Sequence, residues 1–343
     1  MGKEFSETLE DGSEVKIPVN EIIGESWEIA DMGTEDSPVK DGFLAGNTIS
    51  ELMETYMERL VGEDVFDWYG TRFPLLIKFL DIEGKLSVQV HPDDEIGAER
   101  YDSLGKKEIW YILDAEPDAK VYMGFKQDTS ATEFYNACKA GTADTLLNVI
   151  RPKKGDAILI NPGTVHAAEG GIRVCEIQES SDLTFRLYDW GRENNPATAR
   201  KMHLEEAIDL INYKKYNPED YIPAKQGAAD GTSAELLADC PQFTVHKLVL
   251  DTGMQVSAED ADNFIVYCCI EGEVSLQMAC EDGAVRETRL CKGDTVLVPA
   301  ECPDYVLSPL EKGSVLIEST VRSREDLDSY TGEPAEKSYE AEQ

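Results

Sequence analysis

The chain has 343 residues, with 68 Asp and Glu against 32 Lys and Arg and a net charge of −36. That balance excludes nucleic acid as a partner, because phosphate backbones would be repelled, and any phosphorylated ligand would need a local cluster of cations. No apolar run approaches the roughly 18–20 residues that span a bilayer, and Met1-Gly2-Lys3-Glu4-Phe5-Ser6 has no signal-peptide core; the expected location is the cytoplasm, with no membrane partner.

Residues 1–40 read as an edge strand, Trp27-Glu28-Ile29-Ala30, set among loops. Over Thr48–Leu60 the residues Ile49, Leu52, Met53, Tyr56, Met57 and Leu60 recur at steps of one helical turn, predicting an amphipathic helix capped by Asn47 or Thr48. Strands are expected at 75–80, 86–90, 108–113 and 120–125, a helix at 130–139, and strands near 157–160, 172–178 and 184–188. His203–Tyr213 reads as a helix with Leu204, Ala207, Ile208 and Ile211 on one face. Strands follow at 243–250, 263–270, 273–279, 286–291, 295–298 and 314–320, and the tail from Glu325 is polar and acidic. Many short strands between Gly and Pro turns predict antiparallel jelly rolls. The eight cysteines lack CxxC or CxxH spacing and read as reduced, buried thiols.

An internal repeat sets Lys154-Gly155-Asp156-Ala157-Ile158-Leu159-Ile160 beside Lys292-Gly293-Asp294-Thr295-Val296-Leu297-Val298, as expected for duplicated β domains. Aligning Tyr111 with Tyr267 sets Phe264 opposite Glu108, and Pro303 or Asp304 falls opposite His166. The second copy therefore lacks the metal donors of the first.

Those donors are Gln89, His91, Glu108 and His166. Gln89 and His91 are two apart in an alternating strand and share one face. Glu108 opens a second apolar run, Glu108-Ile109-Trp110-Tyr111-Ile112-Leu113, and His166 follows a third through the turn Asn161-Pro162-Gly163. Singly each reads as an ordinary core or strand residue; together they predict a divalent-metal site. A mixed N/O set suits zinc with open positions, or ferrous iron in an oxygenase. Lys106 shares the face of Glu108, Lys107 reads as a solvated surface charge, and Arg186 suits an anionic substrate. Glu176, isolated in the apolar strand Val174-Cys175-Glu176-Ile177-Gln178, either pairs with Arg186 or a lysine or serves as a general base.

Across about 70–195 the chain resembles the type I mannose-6-phosphate isomerases (phosphomannose isomerases) of the cupin superfamily. The resemblance rests on Ser87-Val88-Gln89-Val90-His91-Pro92-Asp93-Asp94, Gly105-Lys106-Lys107-Glu108, Pro162-Gly163-Thr164-Val165-His166-Ala167 and Arg186-Leu187-Tyr188-Asp189. It departs at Lys107, where the family has threonine. It implies one Zn2+ per chain on Gln89, His91, Glu108 and His166, and substrate-binding and catalytic roles for Ser87, Lys106 and Arg186; Glu176 matches a family glutamate. It further implies interconversion of mannose 6-phosphate and fructose 6-phosphate through an enediol, with Glu176 or Lys106 as the base and Arg186 positioning the substrate or stabilising the intermediate. The expected fold is mainly β: a catalytic cupin domain with a helical insertion over 1–202, a helical linker over 203–234, a degenerate second cupin domain over 235–322 and an acidic tail over 323–343. A ferrous cupin dioxygenase and a non-catalytic sugar-phosphate-binding cupin are the competing readings.

Overall fold

The computed structural model describes residues 6–8, 14–16, 24–33, 35–197, 199–220, 232–257, 262–279, 284–302 and 304–321. The expected acidic tail over 323–343 lies outside the described residues. Among these residues the architecture is mainly β. One five-stranded antiparallel sheet runs in the order Ala157–Ile160, Glu108–Ala115, Ile172–Glu179, Leu75–Ile82, Glu25–Ile29. A second runs Leu147–Ile150, Lys120–Phe125, His166–Glu169, Val88–Val90, Phe185–Tyr188. Ile82, Trp110, Ile112 and Val174 of the first bury against Val121, Met123 and Ala168 of the second. Two further sheets, of five and four strands, pack likewise around Leu248, Tyr267, Leu276 and Leu307. Each pair faces in the manner of a jelly roll without closing into a single ladder.

The largest apolar cluster joins the two sheet pairs. Ile77, Ile109, Cys175 and Ile177, on the outer face of the first sheet, pack with Val245, Val266, Cys268 and Ile317 of the third, and with Ile49, Leu52 and Met53 from a helix alongside. The first sheet is thus buried on both faces, which is why 108–113 reads as an unbroken apolar run rather than an alternating one. Alternation survives in three dimensions. Ile109 and Tyr111 face the second sheet pair, while Trp110 and Ile112 face inward.

The helix predicted over Thr48–Leu60 is two helices, Ile49–Tyr56 and Glu58–Val61, separated at Met57 (φ 51°). Thr48 caps it with a full capping box: its hydroxyl accepts from the Glu51 N–H, and its own N–H donates to the Glu51 carboxylate at 2.9 Å. The helix over Ala131–Ala140 lies where expected, capped by Ser130 and closed by Gly141 in the left-handed region. The helix expected over His203–Tyr213 is a single turn, Leu204–Ala207. Tertiary backbone bonds take the chain away after it: Asn212 N donates to the Gly163 carbonyl and Tyr216 N to that of Phe125, both at 2.8 Å. The apolar face is nonetheless used, since Leu204, Ala207, Leu210 and Ile211 are buried together.

The repeat is realised in detail. Gly155 and Gly293 have φ of 91° and 95°, and Asp156 and Asp294 each accept a backbone N–H at 2.8 Å three residues upstream. Their strands occupy the same edge in their sheets. One expectation needs correction. Glu108 pairs with Ile160 and Ile265 with Val298, so Ile265, not Phe264, stands opposite Glu108. Sequence identity at the two tyrosines misplaced the register by one residue, which in a strand reverses the facing. The second copy still has no donor at that position. Seven described cysteines are free thiols, all buried except Cys291, and no described helix is long and apolar enough to cross a membrane.

Phe264 instead packs its ring against Phe73, with centroids 4.8 Å apart and both side chains fully buried between the sheet pairs. Phe264→Ala should cost about 3–5 kcal/mol of stability, read as a lower urea midpoint at constant slope. A loss below about 1 kcal/mol would show that this contact does not hold the two pairs together.

Candidate metal centre

His166 begins the strand His166–Glu169 and pairs directly with Gln89 on Val88–Val90. His91 follows that strand, and Glu108 begins the strand of the facing sheet. The ligating atoms of His91, Glu108 and His166 lie within 4.8 Å of one another, and all three residues are buried. The His91 Nδ1–H donates to the Leu183 carbonyl and the His166 Nδ1–H to that of Thr164, each at 2.9 Å. Those bonds fix the tautomers and leave a lone pair on each Nε2. Each Nε2 points at the carboxylate, His91 at 3.6 Å from Glu108 Oε2 and His166 at 3.2 Å from Oε1.

This geometry sets acceptors against acceptors. His91 Nε2 and both oxygens of Glu108 are buried without a hydrogen-bond partner. Protonating His91 would supply a donor, but burial, reinforced by Lys106, pushes its pKa down to about 3 against the pull of Glu108. Burial opposes charge on Glu108 too, yet His91 and the Lys106 ammonium, 3.8 Å away, outweigh it and hold the carboxyl well below its usual range. Two imidazole nitrogens and a carboxylate converging in one buried site fit a divalent cation, which satisfies all of them at once. Gln89 joins the cluster through its amide, with Nε2 3.2 Å from His166 Nε2 and Oε1 3.4 Å from the Ser87 hydroxyl. Exchanging amide O and N, which look alike apart from their hydrogen bonds, would turn the oxygen toward the other acceptors and let the amide N–H donate to Ser87.

Beside the cluster lies a cleft of about 1070 Å³ lined by Ser87, Gln89, Lys106, Trp110, Glu176 and Arg186 among others. Of the four expected ligands Gln89 alone lines it, and His91, Glu108 and His166 are buried behind its wall. Lys106 is buried and donates to the Thr184 hydroxyl at 3.4 Å. Glu176 faces inward because it shares the parity of Val174, and it lies in one cross-strand row with Lys78 and Trp110. Of the two partners expected for Glu176, neither accounts for its contact. The Trp110 indole N–H donates to its carboxylate at 2.7 Å. Burial, then Glu108, raises its pKa to about 7 against the pull of Lys106 and Lys78. Arg186 is opposite Gln89 in the register; its Nη1 donates to the Lys201 carbonyl at 2.9 Å, and its Nε is buried without a partner. The Lys107 backbone N–H donates to the buried Glu179 at 2.7 Å, and Lys107 does not line the cleft.

The cleft also contains residues that sequence reasoning passed over: Lys78, Asp182, Thr184, Arg192, Arg200 and Lys201. In so acidic a chain, the cations Arg186, Arg192, Arg200 and Lys201 within one short stretch were a readable signal. The basic residues of the cleft slightly outnumber its acids, whereas over the whole chain acids lead 68 to 32.

The family model of the phosphomannose isomerase type I catalytic domain matches residues 2–138. The mannose-6-phosphate isomerase ManA of Bacillus subtilis is 36% identical over 251 residues, covering 73% of this chain and 76% of that protein. The mannose-6-phosphate isomerase of Streptococcus mutans is 32% identical over 280 residues, covering 82% of this chain and 84% of that one. The crystal structure of the mannose 6-phosphate isomerase from Bacillus subtilis superposes with a TM-score of 0.73 at 30% identity, over 86% of this chain and 89% of that one. With a buried His-Glu-His cluster and relatives of this closeness along most of its length, the chain belongs to the type I phosphomannose isomerase family.

Proposed function

We propose that this chain interconverts mannose 6-phosphate and fructose 6-phosphate, using one Zn2+ per chain held by His91, Glu108, His166 and the amide oxygen of Gln89. The observation that carries the reading is the acceptor-only cluster buried beside a cleft lined by Gln89, Lys106, Glu176 and Arg186. When bound, the ion supplies Lewis-acid stabilisation of oxyanion charge at the O1/O2 edge of the open-chain sugar, without redox chemistry.

The chain's own residues supply the rest. The isomerisation removes a proton from C2 of the aldose and returns one to C1, while a hydroxyl proton moves from O2 to O1. Glu176 is the group we assign to the carbon-bound proton. With its pKa raised to about 7 it is present in both forms near neutrality, so it can accept and return the proton. The Trp110 N–H fixes one carboxylate oxygen and so the direction in which the other points. Lys106 is a buried cation beside the cluster, placed to donate to a substrate oxygen. The unpartnered Nε of Arg186 is a buried donor for the same ligand, and Ser87 orients Gln89 and contacts the sugar.

A coupled assay on mannose 6-phosphate tests the reading. Turnover should vanish with chelator and return with zinc, and Arg186→Ala should retain its metal while losing turnover by orders of magnitude. Metal-replete, folded protein that turns over no mannose 6-phosphate would overturn the assignment; oxygen consumption with iron, or tight sugar-phosphate binding without turnover, would restore a competing reading.

Glu176 makes a second prediction, for chelator-treated protein. Its carboxyl titrates near its ordinary 4.5 when unfolded and near 7 when folded. Between those values the unfolded state has released a proton that the folded state keeps, so stability falls as pH rises through that window. From pH 4.5 to 8 the wild type should lose up to about 3 kcal/mol relative to Glu176→Gln, measured by urea unfolding of both. Parallel pH profiles would show that Glu176 titrates normally.

A further inference from the structure

The basic side of the cleft is organised around a carboxylate that the proton transfer does not use. Asp189 follows the strand Phe185–Tyr188 and is fully buried. Its Oδ1 accepts from Arg192 Nη2 at 2.5 Å and Arg200 Nη2 at 2.6 Å, and its Oδ2 accepts from Arg200 Nε at 3.1 Å. The bond to Arg200 is therefore bidentate, the pairing that fixes a guanidinium in plane and direction. It spends Nε and one Nη2 proton on Asp189, and the Nη1 edge is not part of that fork. Arg200 lines the cleft with 44% of its side chain exposed. Arg186 lies close enough for Arg200 to repel its charge.

Arg192 and Arg200 thus share one carboxylate with the Arg186 charge nearby, so these four groups carry an excess of about two positive charges in a protein whose net charge is −36. That excess matches a phosphate monoester, which carries about −1.5 to −2 near neutrality. The other cations nearby are engaged differently. Lys201 pairs with Glu206 at 3.5 Å, and Lys85 pairs with Glu169 at 2.7 Å while its ammonium sits 4.1 Å over the Trp190 ring. Arg192 also donates to the Lys85 carbonyl at 2.8 Å. Arg200 is the guanidinium held by Asp189 through both Nε and Nη2 that still reaches the cleft.

We infer that Arg200 contacts the phosphate group of the sugar phosphate and that Asp189 is the positioning residue that aims it. The inference rests on the isomerase reading above and goes further, because it places the phosphate end of the substrate on the side of the cleft carrying Arg200.

The test compares wild type, Arg200→Met, Asp189→Asn and the double variant, all metal-loaded, with inorganic phosphate as a competitive inhibitor. Arg200→Met should raise KM for mannose 6-phosphate and Ki for phosphate at least tenfold each, with kcat falling by a smaller factor. Asp189→Asn should move the same two constants in the same direction, and the double variant should be no worse than Arg200→Met alone, because both changes remove one contact. A purely structural role would lower kcat or stability and leave the phosphate Ki in place. If Asp189→Asn does not fold, Arg200→Met decides alone. KM and Ki within twofold of wild type in Arg200→Met would overturn the inference while an active wild type leaves the isomerase reading standing; an inactive wild type that also fails to bind phosphate overturns both.

Discussion

Three buried acceptors that face one another with no donor between them set the terms for the rest of this protein. His91 Nε2 and the two oxygens of Glu108 are sealed from water without a partner, and such groups cost about 1–3 kcal/mol each when left so. The backbone carbonyls of Leu183 and Thr164 make the arrangement rigid, because they take the Nδ1 protons and leave both Nε2 atoms as bases. A fold that buries a site in this way depends on a cation to complete it. The surrounding charges follow: Lys106 steadies the ionised Glu108, while burial and then Glu108 raise the pKa of Glu176 to about 7.

The double burial of the site sheet is what allows this density of polar chemistry inside it. Its inner face carries Glu108, Trp110, Glu176 and Lys78, and its outer face packs Ile77, Ile109, Cys175 and Ile177 against the second sheet pair. The duplicated pair kept the turn geometry of Gly293 and Asp294 and the edge strand after it, but has Ile265 where the first has Glu108. Its structural contribution is to cover the back of the site sheet with Val245, Val266 and Ile317, so that the front is held in place.

Much of this was legible in the sequence. The two-residue spacing of Gln89 and His91, the carboxylate at the head of an apolar run and the histidine after a Pro-Gly turn all state strand geometry directly. The turn residues of the repeat were equally plain. What was not legible depended on contacts distant in sequence. The helix expected after His203 stops after one turn because the backbone of Asn212 and Tyr216 is claimed by Gly163 and Phe125. Glu176 bonds Trp110 across a strand pair, not a cation. The one-residue error opposite Glu108 arose because matching tyrosines outweighed the Gly-Asp turns that fix the register. Asp189 looked like the end of a motif; its role as the buried anchor of Arg192 and Arg200 exists only in three dimensions.

The most direct test of the central claim is a zinc titration of chelator-treated protein, following heat release and thermal unfolding together. The account predicts one ion per chain, a rise in Tm on saturation, and both lost or greatly weakened in Glu108→Gln. Chelator-treated protein that binds no divalent ion and shows no shift in Tm, or a Glu108→Gln variant that binds zinc as the wild type does, would contradict it.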